Sequence, residues 1–208
     1  MSFFGGAGVS TESGIPDFRS VDGLYNQQYK YPPETILSHT FLFERNRGGF
    51  TPLLCRGEKW LRSMQSRTRL TSSWPSGNAR GKCRAVVTQN IDGLHQKAGS
   101  KEVLELHGSV LRNYCMRCRK PYPVESIAKS TGIPKCSCGG IIKPDVVLYE
   151  EGLDSCTINK SVDYISKADI LIIGGTSLAV YPAAGLIDIT AAISWFWSTS
   201  PHSCGSPC

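Results

Sequence analysis

The chain has 208 residues, with 23 Lys and Arg against 17 Asp and Glu, 21 Gly and nine Cys. This length suits one sizeable domain with a small second module, and a hydrophobic fraction of 40% argues against a disordered chain. Collagen, coiled-coil and membrane-spanning classes are excluded, because glycine has no period, no heptad is sustained and no apolar run approaches roughly 20 residues.

The net charge of +6 is local rather than general. The segment from Arg45 to Arg84 contains ten Lys and Arg but a single acid, Glu58, so the remainder of the chain is net acidic. The final twenty residues contain no charged side chain at all. The basic segment lacks an interleaved aromatic pattern or a docking motif, so we expect no nucleic-acid partner. Such abrupt shifts in composition mark a domain boundary, a tail or an error of reading frame.

The N-terminal sequence Met1 to Gly5 has no basic region followed by an apolar one, so it predicts no secretory signal. We expect a cytoplasmic protein without a membrane partner, and a monomer. In a reducing compartment clustered cysteines indicate metal ligands rather than disulfides.

In chain order, Phe3 to Gly8 predicts a strand that runs into a glycine turn, and Val9 to Arg19 a loop. A short helix follows Pro32 and Pro33 as far as Phe43. Further strands are predicted at 84–88, 103–106 and 168–174, and a helix near 181–184. Apolar strands that each end in a Gly-rich or polar loop, with helical segments between them, predict an open α/β sheet. Such sheets bind ligands at the carboxyl ends of their strands.

Four cysteines form two tight pairs, Cys115 with Cys118 and Cys136 with Cys138. Four thiolates from two knuckles are the ligand set of tetrahedral zinc, and they leave no open coordination position. The sequence therefore predicts a structural zinc in a small inserted module at 112–143. The other five cysteines have no such pairing and are expected to be plain thiols.

Four other segments carry polar chemistry at strand ends. They are the glycine loop Gly6-Ala7-Gly8-Val9-Ser10 with its continuation to Ser20, and the stretches 88–95, 105–109 and 174–178. The glycine loop alone is a weak indication of a pyrophosphate site, since its third glycine is displaced. In the continuation, Asp17, Phe18 and Arg19 suit a ribose phosphate and an aromatic ring better than a core.

With the four cysteines, these segments resemble the signature set of the sirtuins, the NAD-dependent protein lysine deacylases, most closely those of bacteria. The resemblance covers 3–44, 83 to about 152, and 168–188. It implies a Rossmann-type parallel sheet with helices on both faces, formed by 1–111 and 144–188, plus the inserted zinc module. NAD and an acylated lysine of a protein substrate are expected in the cleft between the two parts.

The resemblance also implies roles for individual residues. His107 is expected to be the general base, since an imidazole accepts a proton near neutral pH. Asn90 and Asp92 are expected at the nicotinamide ribose, although both also suit ordinary turn formation. Val146 lies in a stretch that is expected to pair with substrate peptide. The full NAD set implied is Gly6, Ala7, Gly8, Thr11, Asp17, Phe18, Arg19, Gln89, Asn90, Ile91, Asp92, His107, Gly175, Thr176 and Ser177.

The sequence departs from the family pattern at 47–82 and after 188. Permitted codons for 59–72, read one base earlier, give Lys-Met-Val-Ala-Phe-Asn-Ala-Glu-Pro-Asn-Ala-Ala-His-Lys, which resembles the missing family segment. Codons for 189–200 with one base restored give Tyr-Tyr-Arg-Gly-Asp-Lys-Leu-Val-Leu-Val-Asn-Lys. Two frameshifts therefore explain the excess arginine and the uncharged tail at 189–208. On this interpretation the chain lacks a covering helix and the final strand of its sheet, and its activity is expected to be impaired.

Two functions follow. The first is an NAD-dependent deacetylase that transfers the acyl group to ADP-ribose and releases nicotinamide. The alternative is a non-catalytic zinc-binding or interaction module left from a damaged enzyme. The sequence does not indicate the acyl preference or the protein targets.

Overall fold

The computed structural model describes residues 1–21, 23–26, 28, 32–40, 82–128, 130, 133–191 and 193–197. Its strands are β1 (Ser2–Gly5), β2 (Ala85–Thr88), β3 (Val103–Glu105), β4 (Gly108–Cys115), β5 (Pro121–Pro123), β6 (Ile142–Val146), β7 (Ile170–Gly174) and β8 (Ile193–Trp197). Its α-helices are α1 (Pro33–Ile36), α2 (Leu94–Lys97), α3 (Val124–Ala128) and α4 (Ser155–Ser166). Three 3-10 helices lie at Ala7–Ser13, Leu24–Asn26 and Ala183–Ile189.

The larger sheet has the order β3-β2-β1-β7-β8, and every neighbouring pair of strands is parallel. Successive residues of β1 enter different cores. Phe4 packs in a cluster with Val87 and Leu171, whereas Phe3 packs with Val9 and Val86. Both faces of the central strands are therefore buried, which explains their continuous apolar runs. The α/β fold expected from the sequence is confirmed.

The smaller sheet has the order β5-β4-β6 and is antiparallel. It carries its own core of Cys115, Ile127, Cys136 and Ile142. Its strands extend on both sides of the segment 112–143, because β4 begins at Gly108 and β6 ends at Val146. The end of β3 and the start of β4 are separated by two residues only, Leu106 and His107. The turn between the two sheets therefore presents His107.

The edge strand β8 corrects one expectation. We expected the sheet to lack its final strand, but Ile193 to Trp197 pairs in parallel with β7. The physical reason is composition: Ile, Ser, Trp, Phe and Trp are mostly β-branched or aromatic, and such residues favour strands beside an apolar neighbour. The segment 47–82, for which we expected an aberrant sequence in place of a covering helix, lies outside the described residues except for Lys82.

Two further elements differ in detail from the sequence-based expectation. The segment Ala7–Ser13, expected as a loop, is a 3-10 helix that ends at Gly14, whose φ is 79°. Of the helix predicted as far as Phe43, only α1 and the residues up to Thr40 lie within the described chain. Within the described part of the chain, no helix has both the length and the apolar character to cross a membrane.

Candidate active site and zinc centre

The candidate site lies where four parallel strands end. The loops after β1, β2, β3 and β7 meet at the carboxyl edge of the larger sheet, where open α/β folds bind ligands. Backbone hydrogen bonds join two of these loops directly. The Gly6 amide donates to the Gly174 carbonyl at 3.0 Å, and the Gly8 amide donates to the Gly175 carbonyl at 2.8 Å.

Gly175 makes this close approach possible. Its φ is 62°, and a Cβ placed there would lie 2.4 Å from the Val9 backbone nitrogen. Only glycine fits both the left-handed conformation and the contact. The predicted residues Gly6, Gly8 and Gly175 therefore form one packed junction, with Ala7 and Thr11 on the 3-10 helix that begins there.

A buried polar network lies beneath the glycine loop. Asn90 Nδ2 donates to the Gly6 carbonyl and to Ser10 Oγ, each at 3.0 Å. Ser10 Oγ in turn donates to Asp92 Oδ2 at 2.6 Å. The other Asp92 oxygen accepts from the Leu94 amide at 2.8 Å, so Asp92 also shapes the turn before α2. The network ties the β2 loop to the β1 loop.

His107 lies in the turn between β3 and β4 and is partly buried. Its Nδ1 is 3.0 Å from the Gln89 carbonyl oxygen. A carbonyl only accepts, so Nδ1 carries the hydrogen and Nε2 keeps its lone pair. Burial lowers the pKa of His107, although the hydrogen bond to Gln89 opposes that shift. The neutral ring with a free Nε2 is the form that accepts a proton.

The loop after the first 3-10 helix holds three of the predicted residues. Asp17 Oδ1 accepts from the amides of Arg19 and Ser20 at 3.2 and 2.9 Å, so this carboxylate shapes the loop. Arg19 Nη1 donates to Ser177 Oγ at 3.2 Å and thereby reaches the β7 loop. Phe18 packs edge-on against Tyr25, and the Arg19 guanidinium lies 5.7 Å from the centre of the Tyr25 ring.

Two other predicted residues bridge neighbouring loops. Gln89 Nε2 donates to Thr176 Oγ1 at 3.4 Å, which joins the β2 loop to the β7 loop. The Ile91 carbonyl accepts from the Val110 amide at 3.0 Å, which joins the β2 loop to β4. The structure therefore brings all the predicted NAD residues to one edge. Gln89, Thr176, Ser177 and Arg19 are not buried there, so their polar groups remain accessible to a ligand.

Three polar residues near this edge were missed by sequence reasoning. Ser10 completes the buried network, and a serine directly after a glycine loop gives no sequence signal for that role. Tyr25 and Tyr149 meet through their hydroxyl groups, which joins the Arg19 loop to the segment after β6. Burial raises the pKa of Tyr25, and its contact with Tyr149 adds to that shift.

Val146 is the last residue of β6, opposite Gly108 in the register. The next amide, that of Val147, donates to the His107 carbonyl at 3.0 Å. Lys143 Nζ donates to the Val146 carbonyl at 2.7 Å. Because β6 is the outer strand of its sheet, the Val146 end of this strand lies at a sheet edge beside His107.

The four cysteines converge as predicted. Their sulfur atoms all lie within 4.8 Å of one another, with 3.5 Å between Cys115 and Cys138 and 3.6 Å between Cys118 and Cys136. Zinc–sulfur bonds of about 2.3 Å in a tetrahedron place sulfurs about 3.8 Å apart, so the ligand set fits zinc. The Cys138 amide and the Tyr122 hydroxyl hold the pKa of Cys136 at about 5, which favours the thiolate. Of the other cysteines in the described part of the chain, Cys83 is buried just before β2, where it packs with Phe3 and Val86, and Cys156 is exposed on α4.

Comparisons with known proteins agree with this geometry. The model of the Sir2 family matches residues 6–182. An NAD-dependent protein deacetylase of Clostridium acetobutylicum is 58% identical, over 89% of this chain and 76% of its own length. The corresponding protein of Clostridium perfringens is 54% identical, with the same shares of each chain covered.

Two solved structures share the fold. A Sir2 protein with deacetylated p53 peptide and 3'-O-acetyl-ADP-ribose has a TM-score of 0.83 and 36% identity, over 94% of this chain and 80% of that one. A Sir2 complex with p53 peptide and NAD+ has a TM-score of 0.81 and 36% identity, over 95% and 80% of the two chains. The motifs at the strand ends, the four-cysteine cluster and these matches lead to one conclusion: the chain belongs to the Sir2 family.

Proposed function

We propose that this chain is an NAD-dependent protein deacetylase that acts on acetylated lysines of proteins, with NAD as co-substrate and zinc in a structural role. The observation that carries the proposal is His107, a neutral imidazole whose free Nε2 lies at the strand-end edge where the predicted NAD residues converge. The two Clostridium relatives, of whose length this chain covers 76%, are named NAD-dependent protein deacetylase.

The NAD site is assigned to the loops after β1, β2 and β7. We assign the glycine junction and Arg19 to the phosphates, and Gln89, Thr176 and Ser177 offer polar groups at the same edge. Asn90 and Asp92, fixed by their buried network with Ser10, are assigned to the nicotinamide ribose. When bound, NAD supplies the ribose carbon that receives the acyl oxygen as nicotinamide leaves.

His107 acts as the general base. Its Nδ1 donates to the Gln89 carbonyl, so Nε2 is oriented to take the proton of a ribose hydroxyl. The deprotonated ribose oxygen would then bond to the acyl carbon, and a water molecule would supply the oxygen that replaces the lysine nitrogen, so that free lysine and the acyl ester of ADP-ribose are the products. A base of lowered pKa is in its proton-accepting form at neutral pH.

The acylated protein segment is assigned to the edge of β6. An extended peptide adds a strand to an open sheet edge through main-chain hydrogen bonds. Val146 ends this edge strand next to the His107 turn, so a lysine on the added strand reaches the base.

The zinc ion is assigned to Cys115, Cys118, Cys136 and Cys138. Four thiolates complete its coordination, so the metal stabilises the smaller sheet and takes no part in proton transfer.

We further propose that the protein is a cytoplasmic monomer without nucleic-acid or membrane partners. We also propose that two frameshifts are the origin of the segment 47–82 and of the tail. Resequencing the gene tests the frameshifts, and uninterrupted reads in the present frame would exclude them.

The second candidate is a non-catalytic zinc module. It is favoured by the separate core of the smaller sheet, whose buried members in the described part of the chain all lie between Cys115 and Ile142. Nicotinamide release in the presence of an acetyl-lysine peptide distinguishes the two functions. The deacetylase releases nicotinamide, and His107→Ala abolishes the release, whereas a zinc module yields none from either protein.

A further inference from the structure

Arg112 joins the two sheets on either side of His107. Its Nη1 donates to Glu105 Oε2 at 2.6 Å, and its Nε donates to Asp145 Oδ2 at 2.9 Å. Glu105 is the last residue of β3, whereas Asp145 lies in β6. One guanidinium on β4 therefore holds the strand that leads into His107 and the strand that ends at Val146.

The burial of one partner, Glu105, distinguishes this contact from an ordinary surface ion pair. The side chain of Glu105 is only 7% exposed, while those of Arg112 and Asp145 are each 44% exposed. A buried carboxylate requires a charged partner, and removal of that partner leaves an uncompensated charge. Among the described residues, Arg112 is the one cation paired with Glu105.

The backbone around His107 depends on the same strands. The Leu106 amide donates to the Thr88 carbonyl at 2.9 Å, and the Val147 amide donates to the His107 carbonyl at 3.0 Å. These two bonds bracket His107, the first from the larger sheet and the second from the segment after β6. They keep their geometry only if β3 and β6 keep their spacing.

We propose that Arg112 is a positioning residue, which fixes the base His107 relative to the peptide edge at Val146 by holding Glu105 and Asp145 together. The proposal rests on the function assigned above. It predicts that Arg112 acts on the chemical step and on the protein substrate, and leaves the NAD loops of β1 and β7 unaffected.

The test is Arg112→Met, compared with Lys167→Met, which removes an exposed ion pair with Asp163 on α4. We expect Arg112→Met to lower kcat by about 10- to 100-fold, because small displacements of a catalytic group have effects of this size. KM for the peptide rises, KM for NAD stays within about twofold, and Lys167→Met matches the parent chain. Arg112→Lys restores activity only in part, since a lysine is a point charge that does not span both carboxylates.

Hydrogen exchange tests whether Arg112 holds Glu105 and Asp145 together, and it needs no turnover. A negative result here is therefore distinguishable from a failure of the proposed function. In Arg112→Met we expect faster exchange at the Leu106 and Val147 amides and unchanged exchange at the Ile158 amide of α4. Combining Arg112→Met with Glu105→Gln removes the uncompensated charge, and kcat stays low if positioning is the cause. Full recovery in that double variant, or exchange and kinetics equal to those of Lys167→Met, would overturn the proposal.

Discussion

The Nδ1 atom of His107 lies 3.0 Å from the carbonyl oxygen of Gln89, a residue of the loop after β2. This contact fixes both the ring and its tautomer, since the carbonyl accepts and does not donate. The proposed base is therefore held by the same loop that carries Asn90 and Asp92, the residues we assign to the ribose. A change in this loop should affect both assigned roles together.

The pH dependence of activity follows from the environment of His107. Burial lowers its pKa below the usual value of about 6.5, so the proton-accepting form is present at neutral pH and is lost as the pH falls through the lowered pKa. We expect the acid limb of kcat/KM to have its midpoint below 6.5. A pH–rate profile measures this directly, and a midpoint above 6.5 contradicts the assignment.

The free energy of unfolding should also decrease as the pH falls. Burial lowers the pKa of His95 as well as that of His107, so the unfolded chain binds more protons below about 6.5. The free energy of unfolding is therefore highest above that pH and decreases as the pH falls from about 7.5 to 5.5. Urea unfolding at both values, with zinc content checked, measures the change. His95→Gln should make it smaller, and an unchanged pH dependence would contradict the argument.

Zinc binding should depend on the four clustered cysteines and not on the exposed thiol of Cys156. We expect Cys136→Ser to lose zinc and the protection of β4 to β6 against hydrogen exchange, whereas Cys156→Ser keeps one zinc per chain. The apparent binding free energy of structural zinc, about 10–16 kcal/mol in small zinc modules, depends on the full set of four ligands, so three thiolates should bind the ion far more weakly. Metal analysis and hydrogen exchange provide the measurements. Retention of full zinc by Cys136→Ser would exclude the assigned ligand set.

The hydroxyl contact between Tyr25 and Tyr149 should couple the two substrates. Tyr25 packs with Phe18 and Arg19, which we assign to NAD, while Tyr149 lies three residues after Val146, which we assign to the peptide. In the parent chain, bound peptide should increase the affinity for NAD. In Tyr25→Phe or Tyr149→Phe we expect this increase to be smaller by about two- to tenfold, which is the effect of one hydrogen bond. Calorimetric titration of NAD with and without peptide measures this.

Because both variants break the same contact, the double variant should behave like either single one. Tyr164→Phe on α4 is the matched control, since within the described part of the chain the Tyr164 hydroxyl has no hydrogen-bond partner. Additive effects of the two changes would contradict a direct link.

Alanine substitutions at two glycines should separate the stability cost of steric crowding from that of backbone strain. Gly108 and Gly139 have φ values of 75° and 82°, but a Cβ at Gly108 would lie 1.9 Å from the Asp145 carbonyl oxygen, and one at Gly139 would meet nothing within 4 Å. Gly139→Ala should cost about 1–2 kcal/mol, from the left-handed conformation alone. Gly108→Ala should cost clearly more and should also disturb β6. Chemical denaturation compares them, and equal costs would contradict the contact.

The strands and loops of the site were predictable because their signals are local. The apolar runs at β2, β3 and β7 and the polar residues after them are adjacent in the sequence, and the cysteine spacing indicates a metal by itself. Parallel strands then bring their carboxyl ends together by topology. The edge that holds His107 could therefore be expected before any coordinates were known.

Other features were missed for different reasons. The helix α4 had a signal that was overlooked: Ile158, Val162 and Ile165 share one face, and Asp154 caps the helix by accepting from the Thr157 amide. The strand β8 was wrongly expected to be absent, because even a frameshifted segment can carry the β-branched and aromatic residues that favour a strand.

The contacts of Arg112 with Glu105 and Asp145 had no sequence signal. Its partners lie seven residues before it and 33 residues after it, and they meet only once the register of β4 and β6 is set. Tertiary contacts of this kind are not encoded by local pattern.

The proposed deacetylase activity is measured most directly by the product balance of the purified chain with NAD and an acetyl-lysine peptide. We expect one nicotinamide and one O-acetyl-ADP-ribose for each peptide deacetylated, quantified by mass spectrometry, and no turnover by His107→Ala. The His107→Ala protein should keep its zinc and its fold, which separates loss of the base from loss of structure. Deacetylation without NAD, undiminished turnover by His107→Ala, or a folded, zinc-loaded parent chain that releases no nicotinamide would contradict it.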